Sequence, residues 1–251
     1  ARVGLNFAPL DGLNIQAIVA PTLNFTKQKN FRKSIPWYLS DDPTILGGYI
    51  QNPTTLWENR YDNNSITYQF TAQYNKTFGS HTIGLLAGYE DYYTHVDSLG
   101  ASRDNYDLDG YPYLNIGPLE LRDNNGKALE YARQSYFGRI TYNYKNRYLL
   151  QGNIRYDGSS RFAKENRWGV FPSVSAGWVI SEEDFMRNSS SVLSLLKLRV
   201  SYGTLGNERI GNYPYQATMA FQSALFFQGG NVVSEQGAGQ PRYAIRNITW
   251  E

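Results

Sequence analysis

Ser65-Ile-Thr-Tyr-Gln-Phe-Thr-Ala-Gln-Tyr-Asn-Lys-Thr-Phe78 splits into two unlike sets when every second residue is taken. One set is Ile66, Tyr68, Phe70, Ala72, Tyr74, Lys76 and Phe78; the other is Ser65, Thr67, Gln69, Thr71, Gln73, Asn75 and Thr77. Successive side chains of a strand point to opposite faces, so this stretch is a strand with one largely apolar face and one polar, uncharged face. The reading extends outward from it. Ile83, Leu85, Ala87 and Tyr89 predict a partner strand across the Gly79-Ser80 turn. Val3–Phe7 and Leu13–Phe25 predict two strands before it, and Tyr136–Tyr144, Tyr148–Tyr156, Trp168–Ile180 and Leu196–Tyr202 predict four after it. The expected fold is all-β, with about eight antiparallel up-and-down strands and no helix longer than two turns.

The expected connections alternate in length. Residues 9–12, 79–80 and 144–147 are short, whereas 30–62, 97–133, 157–167 and 206–247 are long. Residues 182–194 fall where a short turn is due, with room for a helical turn. Compact soluble domains rarely carry several loops beyond about 12–15 residues. Outer-membrane barrels do, with short periplasmic turns and long extracellular loops. Aromatics also bracket the apolar faces: Tyr148 and Tyr156 flank Leu150 and Ile154, and Trp168 and Trp178 flank Val170 and Val174. Eight residues at roughly 3.3 Å each, tilted by about 40°, cover roughly 20 Å of membrane normal, close to the apolar band of such barrels. The opposite face is Ser, Thr, Asn and Gln with a few Arg, where a soluble sandwich would carry Lys and Glu. The pattern therefore predicts the wall of a transmembrane barrel with its polar face toward the lumen. Loops this long suit a piece of a large barrel better than a complete eight-stranded one. The alternative is a soluble or surface-attached, aromatic-rich β-protein that binds glycans. Tyr148, Leu150, Ile154 and Tyr156 discriminate, because they meet lipid in the first case and a protein core in the second.

Composition removes other classes. Aromatic residues reach 15%, 21 of them Tyr, and charged residues only 18%, which is unlike a disordered chain. A net charge of +2 gives no basic surplus for nucleic acid. Zero cysteines exclude a disulfide scaffold, a thiolate nucleophile and a Cys-ligated zinc site. No run of about 18 apolar residues predicts a transmembrane helix, and no signal peptide is read at Ala1-Arg2-Val3-Gly4.

Denser motifs follow from residue 136. Tyr136-Phe-Gly-Arg-Ile-Thr-Tyr-Asn-Tyr-Lys-Asn-Arg-Tyr-Leu-Leu150 leads to Arg155-Tyr-Asp-Gly-Ser-Ser-Arg-Phe162. Asn166-Arg-Trp-Gly-Val-Phe-Pro-Ser173, Gly177-Trp-Val-Ile-Ser-Glu-Glu-Asp-Phe185 and Leu196-Lys-Leu-Arg-Val-Ser-Tyr-Gly203 come next, then Gly206-Asn207 and Ile210-Gly-Asn-Tyr213. In this order and spacing they resemble the SusC/RagA family of TonB-dependent outer-membrane transporters of Bacteroidetes, densely over 136–213. Ile248-Thr-Trp-Glu251 is similar to that family's short segment before a further strand. The resemblance implies a barrel of about 22 strands around an N-terminal plug. It also implies bacterial outer-membrane localisation, oligosaccharide or peptide cargo, energy from TonB, and a SusD-like surface lipoprotein over the outer mouth. Residues 1–251 would then be a partial TonB-dependent receptor β-barrel domain, without plug, TonB box or C-terminal strands.

Candidate chemistry is sparse. Glu90/Asp91 and Glu182/Glu183 are adjacent acidic pairs; on a strand neighbours point to opposite faces, so they cannot flank one glycosidic bond together. No enzyme is expected. Asn105, Asp107 and Asp109 with Gly110 match the front half of a calcium loop, but the twelfth position is Ile116 in place of the bidentate Glu, so a polar turn is the plainer reading. No other cofactor is expected. Trp37, Tyr38, Trp57, Tyr92, Tyr93, Tyr111, Tyr113, Tyr213 and Tyr215 lie in or beside long connections, where rings stack on sugars, meet the lipoprotein, or pack on their own loops. Arg139, Arg155 and Arg199 are expected on the lumen face, pairing with the plug or touching cargo. His81 and His95 are expected to be surface or turn residues.

Overall fold

A computed structural model describes residues 1–108, 110–189 and 193–251. Twelve strands are present among them: β1 (Val3–Leu10), β2 (Leu13–Arg32), β3 (Ile35–Tyr38), β4 (Leu46–Ile50), β5 (Thr55–Phe78), β6 (His81–Asp104), β7 (Arg122–Tyr144), β8 (Tyr148–Ser159), β9 (Trp168–Val179), β10 (Lys197–Gly203), β11 (Ala220–Gln228) and β12 (Asn231–Gly239). Eight of them form one sheet in the order β1-β2-β5-β6-β7-β8-β9-β10, while β3-β4 and β11-β12 are separate two-stranded ribbons. Neighbouring strands β7, β8 and β9 of the wall pair antiparallel, with Tyr142↔Leu150↔Ala176 and Thr141↔Gln151↔Ser175 in register. Helical structure among the described residues is confined to short 3-10 turns, as at 180–182 and 184–189. No described helix is long and apolar enough to cross a membrane.

All eight strands expected from alternation are the eight of the large sheet. Four are longer than expected. β2 runs on to Arg32, β5 starts at Thr55, β6 ends at Asp104 and β7 starts at Arg122. The presumed loops 30–62 and 97–133 are therefore largely strand, and 206–247 contains a hairpin. Stretches such as Arg122-Asp-Asn-Asn-Gly-Lys hide because both faces are polar, which leaves no period of two to read.

The chain divides into two compact units. The larger comprises Ala1–Ala20, Thr67–Tyr93 and Tyr131–Glu251; the smaller comprises Pro21–Ile66 and Thr94–Glu130. In the smaller unit Leu56 and Tyr106 are buried. Tyr106 stands edge-on to Phe31 at 5.6 Å, Arg103 Nη1 donates to Gly117 O at 2.7 Å, and Lys29 Nζ meets Glu58 Oε1 at 3.1 Å.

In the larger unit the tight turns follow their sequence. Lys145 and Asn146 have φ of 51° and 57°, and the Arg147 N–H donates to Tyr144 O at 2.9 Å. Two successive positive φ values give the turn twist that matches paired strands, and Asn tolerates them. The Asn143 Oδ1 accepts the Asn146 N–H at 2.9 Å and fixes the turn. Gly79 at φ +58° serves the β5–β6 turn. Gly88 has a different use: a Cβ there would come within 2.3 Å of the Phe137 ring, so its bare backbone is the seat of that ring on the polar face.

The apolar face of this unit has no described residue packed against it. Leu150 is 51% exposed, Ile154 52% and Val174 55%, whereas Gln151, Asn153 and Ser173 on the opposite face are half-buried. Two aromatic clusters bound the apolar face. Near the short turns, His81 stands 5.5 Å from Phe78, 5.9 Å from Tyr142 and 4.8 Å from Tyr144, which is 6.2 Å from Tyr148. Toward the other end, Tyr136 lies 5.1 Å from Tyr89 and 6.0 Å from Trp168, and Trp168 stacks on Tyr156 at 4.6 Å. Tyr148 and Tyr156 are eight residues apart on β8, which is roughly 26 Å along the strand. Tilted by about 40°, that length covers roughly 20 Å of membrane normal, and an exposed apolar band of this height between aromatic rings approaches the band of outer-membrane barrels. His81, expected at the surface or in a turn, is the first residue of β6 and half-buried among these rings, its Nδ1 2.7 Å from the Tyr142 hydroxyl.

Candidate functional site

Side chains on the polar face of β7–β9 hydrogen-bond one another. Arg139 Nε donates to Asn153 Oδ1 at 2.9 Å, Gln151 Nε2 donates to the same oxygen at 3.2 Å, and Asn153 Nδ2 donates to Ser173 Oγ at 3.1 Å. Arg155 makes two bonds to the Asp157 carboxylate, at 3.2 and 3.0 Å, and its guanidinium lies 5.4 Å from the Phe137 ring centre. A cleft of about 610 Å³ opens over this surface, lined in part by Gln69, Gln73, Arg139, Gln151, Asn153 and Arg155. Amides and hydroxyls carried on rigid strands can bond neutral polar molecules through both donors and acceptors.

Beyond the Tyr136–Trp168 cluster a denser network holds residues 207–212 onto the wall. Tyr131 donates its hydroxyl to Glu208 Oε1 at 2.6 Å. Burial, followed by the bond to Glu208, pushes the Tyr131 hydroxyl well above its ordinary pKa. Arg133 Nη2 meets Glu90 Oε1 at 3.2 Å, and its Nη1 lies 3.9 Å from Glu208. Arg161 sits 4.7 Å over the Tyr131 ring and donates to Glu208 O at 2.8 Å and to Asn212 Oδ1 at 3.3 Å. Nearby, Trp250 lies between Phe162 and Phe171 at 5.1 and 5.2 Å and donates Nε1–H to Arg167 O at 2.9 Å. Asn207 and Glu251 exchange backbone bonds, at 2.7 and 3.3 Å. Residues 208–250, which include the β11–β12 ribbon, therefore leave and rejoin the wall at one place.

At the short-turn end Glu183 accepts from the Tyr148 hydroxyl at 2.6 Å, Trp178 Nε1 at 2.9 Å and Arg147 Nη1 at 3.1 Å. These donors, Tyr148 first and then Trp178, hold its carboxyl below the ordinary range. The polar tips of two band-edge aromatics thus end on one carboxylate outside the apolar band, an arrangement suited to residues with one apolar and one wet end. The other adjacent acids are also engaged: Glu90 with Arg133, and Asp91 with the Tyr89 hydroxyl at 3.1 Å and Gln134 at 3.2 Å.

The residues singled out from sequence are divided between the two units. Trp37, Tyr38, Trp57, Tyr111 and Tyr113 belong to the smaller unit; Tyr92, Tyr93, Arg139, Arg155, Arg199, Tyr213 and Tyr215 belong to the larger. Trp37 lies over Gly47 and Gly48 of its own hairpin, Tyr113 lies 4.7 Å from Lys29 Nζ, Tyr92 faces Tyr131 at 6.0 Å, and Tyr213 meets Tyr215 edge-on at 6.2 Å. Several of the rings are thus occupied within their own unit, while Trp37, Tyr38, Tyr111 and Tyr113 keep 45% to 60% of their surface exposed. Of the calcium candidate, Asn105 has φ 58° and donates its N–H to Thr54 O at 2.8 Å, Asp107 is exposed, and Asp109 lies outside the described residues. His95 is half-buried, with Nδ1 3.3 Å from Glu130 Oε1. Sequence reading missed Tyr131, Glu208 and Trp250 as anchors, because their partners stand 77 and more residues away and no local spacing marks them.

A sheet with an unpartnered apolar band, aromatic borders and a hydrogen-bonded polar face is a wall segment of a transmembrane β-barrel. The family model described as TonB dependent receptor-like, beta-barrel matches residues 1–244, and the chain belongs to that family of outer-membrane proteins. It is 37% identical over 150 residues to the TonB-dependent receptor SusC of Bacteroides thetaiotaomicron, and 30% identical over 209 residues to the TonB-dependent receptor P3 of Formosa agariphila. These alignments cover 59% and 83% of this chain but only 14% and 20% of the two relatives. Among solved structures, the RagAB peptide transporter superposes with a TM-score of 0.84 at 26% identity, over 99% of this chain and 26% of that one. The resemblance to SusC/RagA-type transporters read from residues 136–213 agrees with all three comparisons.

Proposed function

We propose that this sheet is part of the barrel wall of a TonB-dependent importer that takes up oligosaccharides or peptides across the outer membrane. The observation that carries the reading is the division of one sheet into an exposed apolar band between aromatic rings and a polar face whose side chains bond one another. The rest of the machine follows from family membership: a barrel of about 22 strands, a plug, TonB as energy source, and a SusD-like lipoprotein at the outer mouth. The exposed rings of Trp37, Tyr38, Tyr111 and Tyr113 are the described groups best suited to a sugar face or to that lipoprotein. The soluble glycan-binding alternative needs a protein core on Leu150 and Ile154, and no described residue supplies one. In this proposal the 79–80 and 145–146 turns and the Glu183 turn face the periplasm, and residues 105–110 face outward. An epitope tag in 105–110 of the full-length protein is expected to be detected on intact cells, and one in 186–190 only after permeabilisation. Detection of both on intact cells would overturn the barrel reading.

A further inference from the structure

The cations of the polar face are not treated alike. Arg155 is neutralised by Asp157, and Arg133 by Glu90 and Glu208. Lys197 and Arg199 have no ion-pair partner among the described residues, and neither does Arg139, whose Nε bonds Asn153 Oδ1 instead. Lys197 and Arg199 stand two residues apart on β10, so their side chains share the polar face about 6.6 Å from one another. Both line a cleft of about 380 Å³ together with Thr141, Asn143, Gln151 and Ser175, and no described Asp or Glu lines it. Gly177 lies beneath the Lys197 stem, where a Cβ would come within 3.4 Å of Lys197 Cε. Arg199 pairs across the sheet with Gly177, which pairs with Leu149. Two like charges placed side by side repel one another, and a surrounding of hydroxyls and amides does not cancel them. What completes such a site is an anion with oxygens for both the ammonium and the guanidinium, the second of which favours planar, bidentate partners.

We propose that the Lys197–Arg199 cleft is an anion-binding site on the lumen wall that takes a carboxylate. The proposal rests on the importer reading. Two sources can supply the carboxylate: an acidic cargo passing the wall, such as a uronic-acid-bearing oligosaccharide, or an acidic side chain of the plug. In either case the charge, rather than the shape, of the two side chains is what the site uses.

The test uses the full-length protein purified in detergent, as wild type, as Lys197→Gln/Arg199→Gln, and as the charge-keeping Lys197→Arg/Arg199→Lys. Each is titrated calorimetrically with tri-galacturonic acid and with maltotriose as a neutral control, and plug hydrogen exchange is followed in the same samples. If cargo supplies the carboxylate, the wild type binds the acidic probe, binding weakens with salt, and the glutamine pair loses about tenfold or more of the affinity, while the charge-keeping pair retains most of it. If the plug supplies it, no form binds the acidic probe, and plug exchange accelerates in the glutamine pair but not in the charge-keeping pair. Either result supports the anion site. Equal behaviour of all three proteins in both measurements overturns it, as does an equal loss in both variants. Outer-membrane fractionation of the same proteins tests the importer reading separately, because a wild type absent from that membrane sinks that reading whatever the titrations give.

Discussion

β8–β9 and β11–β12 are both antiparallel pairs of the larger unit, yet only the first was legible from sequence. In β8–β9 the middle of each face is chemically distinct: Leu150, Ile154, Val170 and Val174 on one side, Gln151, Asn153, Ser173 and Ser175 on the other, with Leu149 and Phe171 toward the ends of the polar side. In β11–β12 the face carrying Phe221, Leu225 and Phe227 also carries Ser223, Ser234 and Gln236. Phe227 is 86% exposed and Leu225 72%. The first pair separates two solvents, so selection on each face is different and a period of two appears. The second pair has no neighbour in the eight-stranded sheet and nothing to keep its faces distinct. Alternation reports a boundary between environments, not the strand itself.

The sharpest way to break this comparison is to charge the two faces of the wall. Leu150→Arg or Val174→Arg in the full-length protein is expected to cost about 2–4 kcal/mol near the bilayer midplane. Gln151→Arg or Ser173→Arg is expected to cost much less. Urea midpoints for folding into lipid vesicles measure both, and equal losses would erase the distinction between the faces. The same charge placed on the ribbon, as Leu225→Arg, is expected to leave the midpoint unchanged.

Removing the anchor of the ribbon comes next. Trp250→Ala deletes a ring held between Phe162 and Phe171 and a bond to Arg167 O. A loss of about 2 kcal/mol is expected for this partly buried aromatic. It is expected to fall on residues 208–250, read as faster proteolysis there with β8–β9 still protected. Tyr131→Phe removes only the donor to Glu208, and about 1.5 kcal/mol is expected, since the acceptor is charged. Hydrogen exchange at 207–212 is the readout; unchanged exchange would mean that Arg161 alone holds that segment.

The smallest effect is a pH dependence at the other end. Glu183 has a lowered pKa in the folded chain, so its contribution is present above the ordinary carboxylate pKa and fades as pH falls through the lowered value. Amide exchange at 180–186 is expected to quicken only under such acidic conditions, and Glu183→Gln is expected to remove the pH dependence. Quickening already near neutral pH would contradict the assignment.

The eight wall strands could be read because Ser65–Phe78 and its counterparts alternate between lipid-type and water-type side chains. The outer halves of β6 and β7 could not, because Asp97 and Arg103 stand opposite Ser98 and Ser102 on β6, and Asp123 and Lys127 opposite Arg122 and Asn124 on β7, which leaves both faces polar. The Gly229-Gly230 pair between two strand-like runs is a hairpin signal that passes unused when the whole of 206–247 is taken for a loop. For the site, the lumen-facing Arg139 and Arg155 followed from strand parity alone. That Arg155 is neutralised by Asp157 while Lys197 and Arg199 have no ion-pair partner among the described residues needed side-chain positions. The network of Tyr131 with Glu208 needed the three-dimensional path of the chain.

The reciprocal bonds between Asn207 and Glu251 have a consequence for how such a protein changes over evolutionary time. Departure and return share one tied point, and the described bonds to the wall at Glu208, Asn212, Arg246, Thr249 and Trp250 fall at the base of the segment. Doubling the length of a flexible loop costs only about 0.6 kcal/mol of closure entropy, so insertions, deletions or wholesale replacement within 216–244 are cheap. The anchor residues, by contrast, are shared property of wall and appendage and cannot drift independently. Residues 216–244 are thus a place where one barrel wall can be fitted with different surface appendages, leaving its strand register untouched.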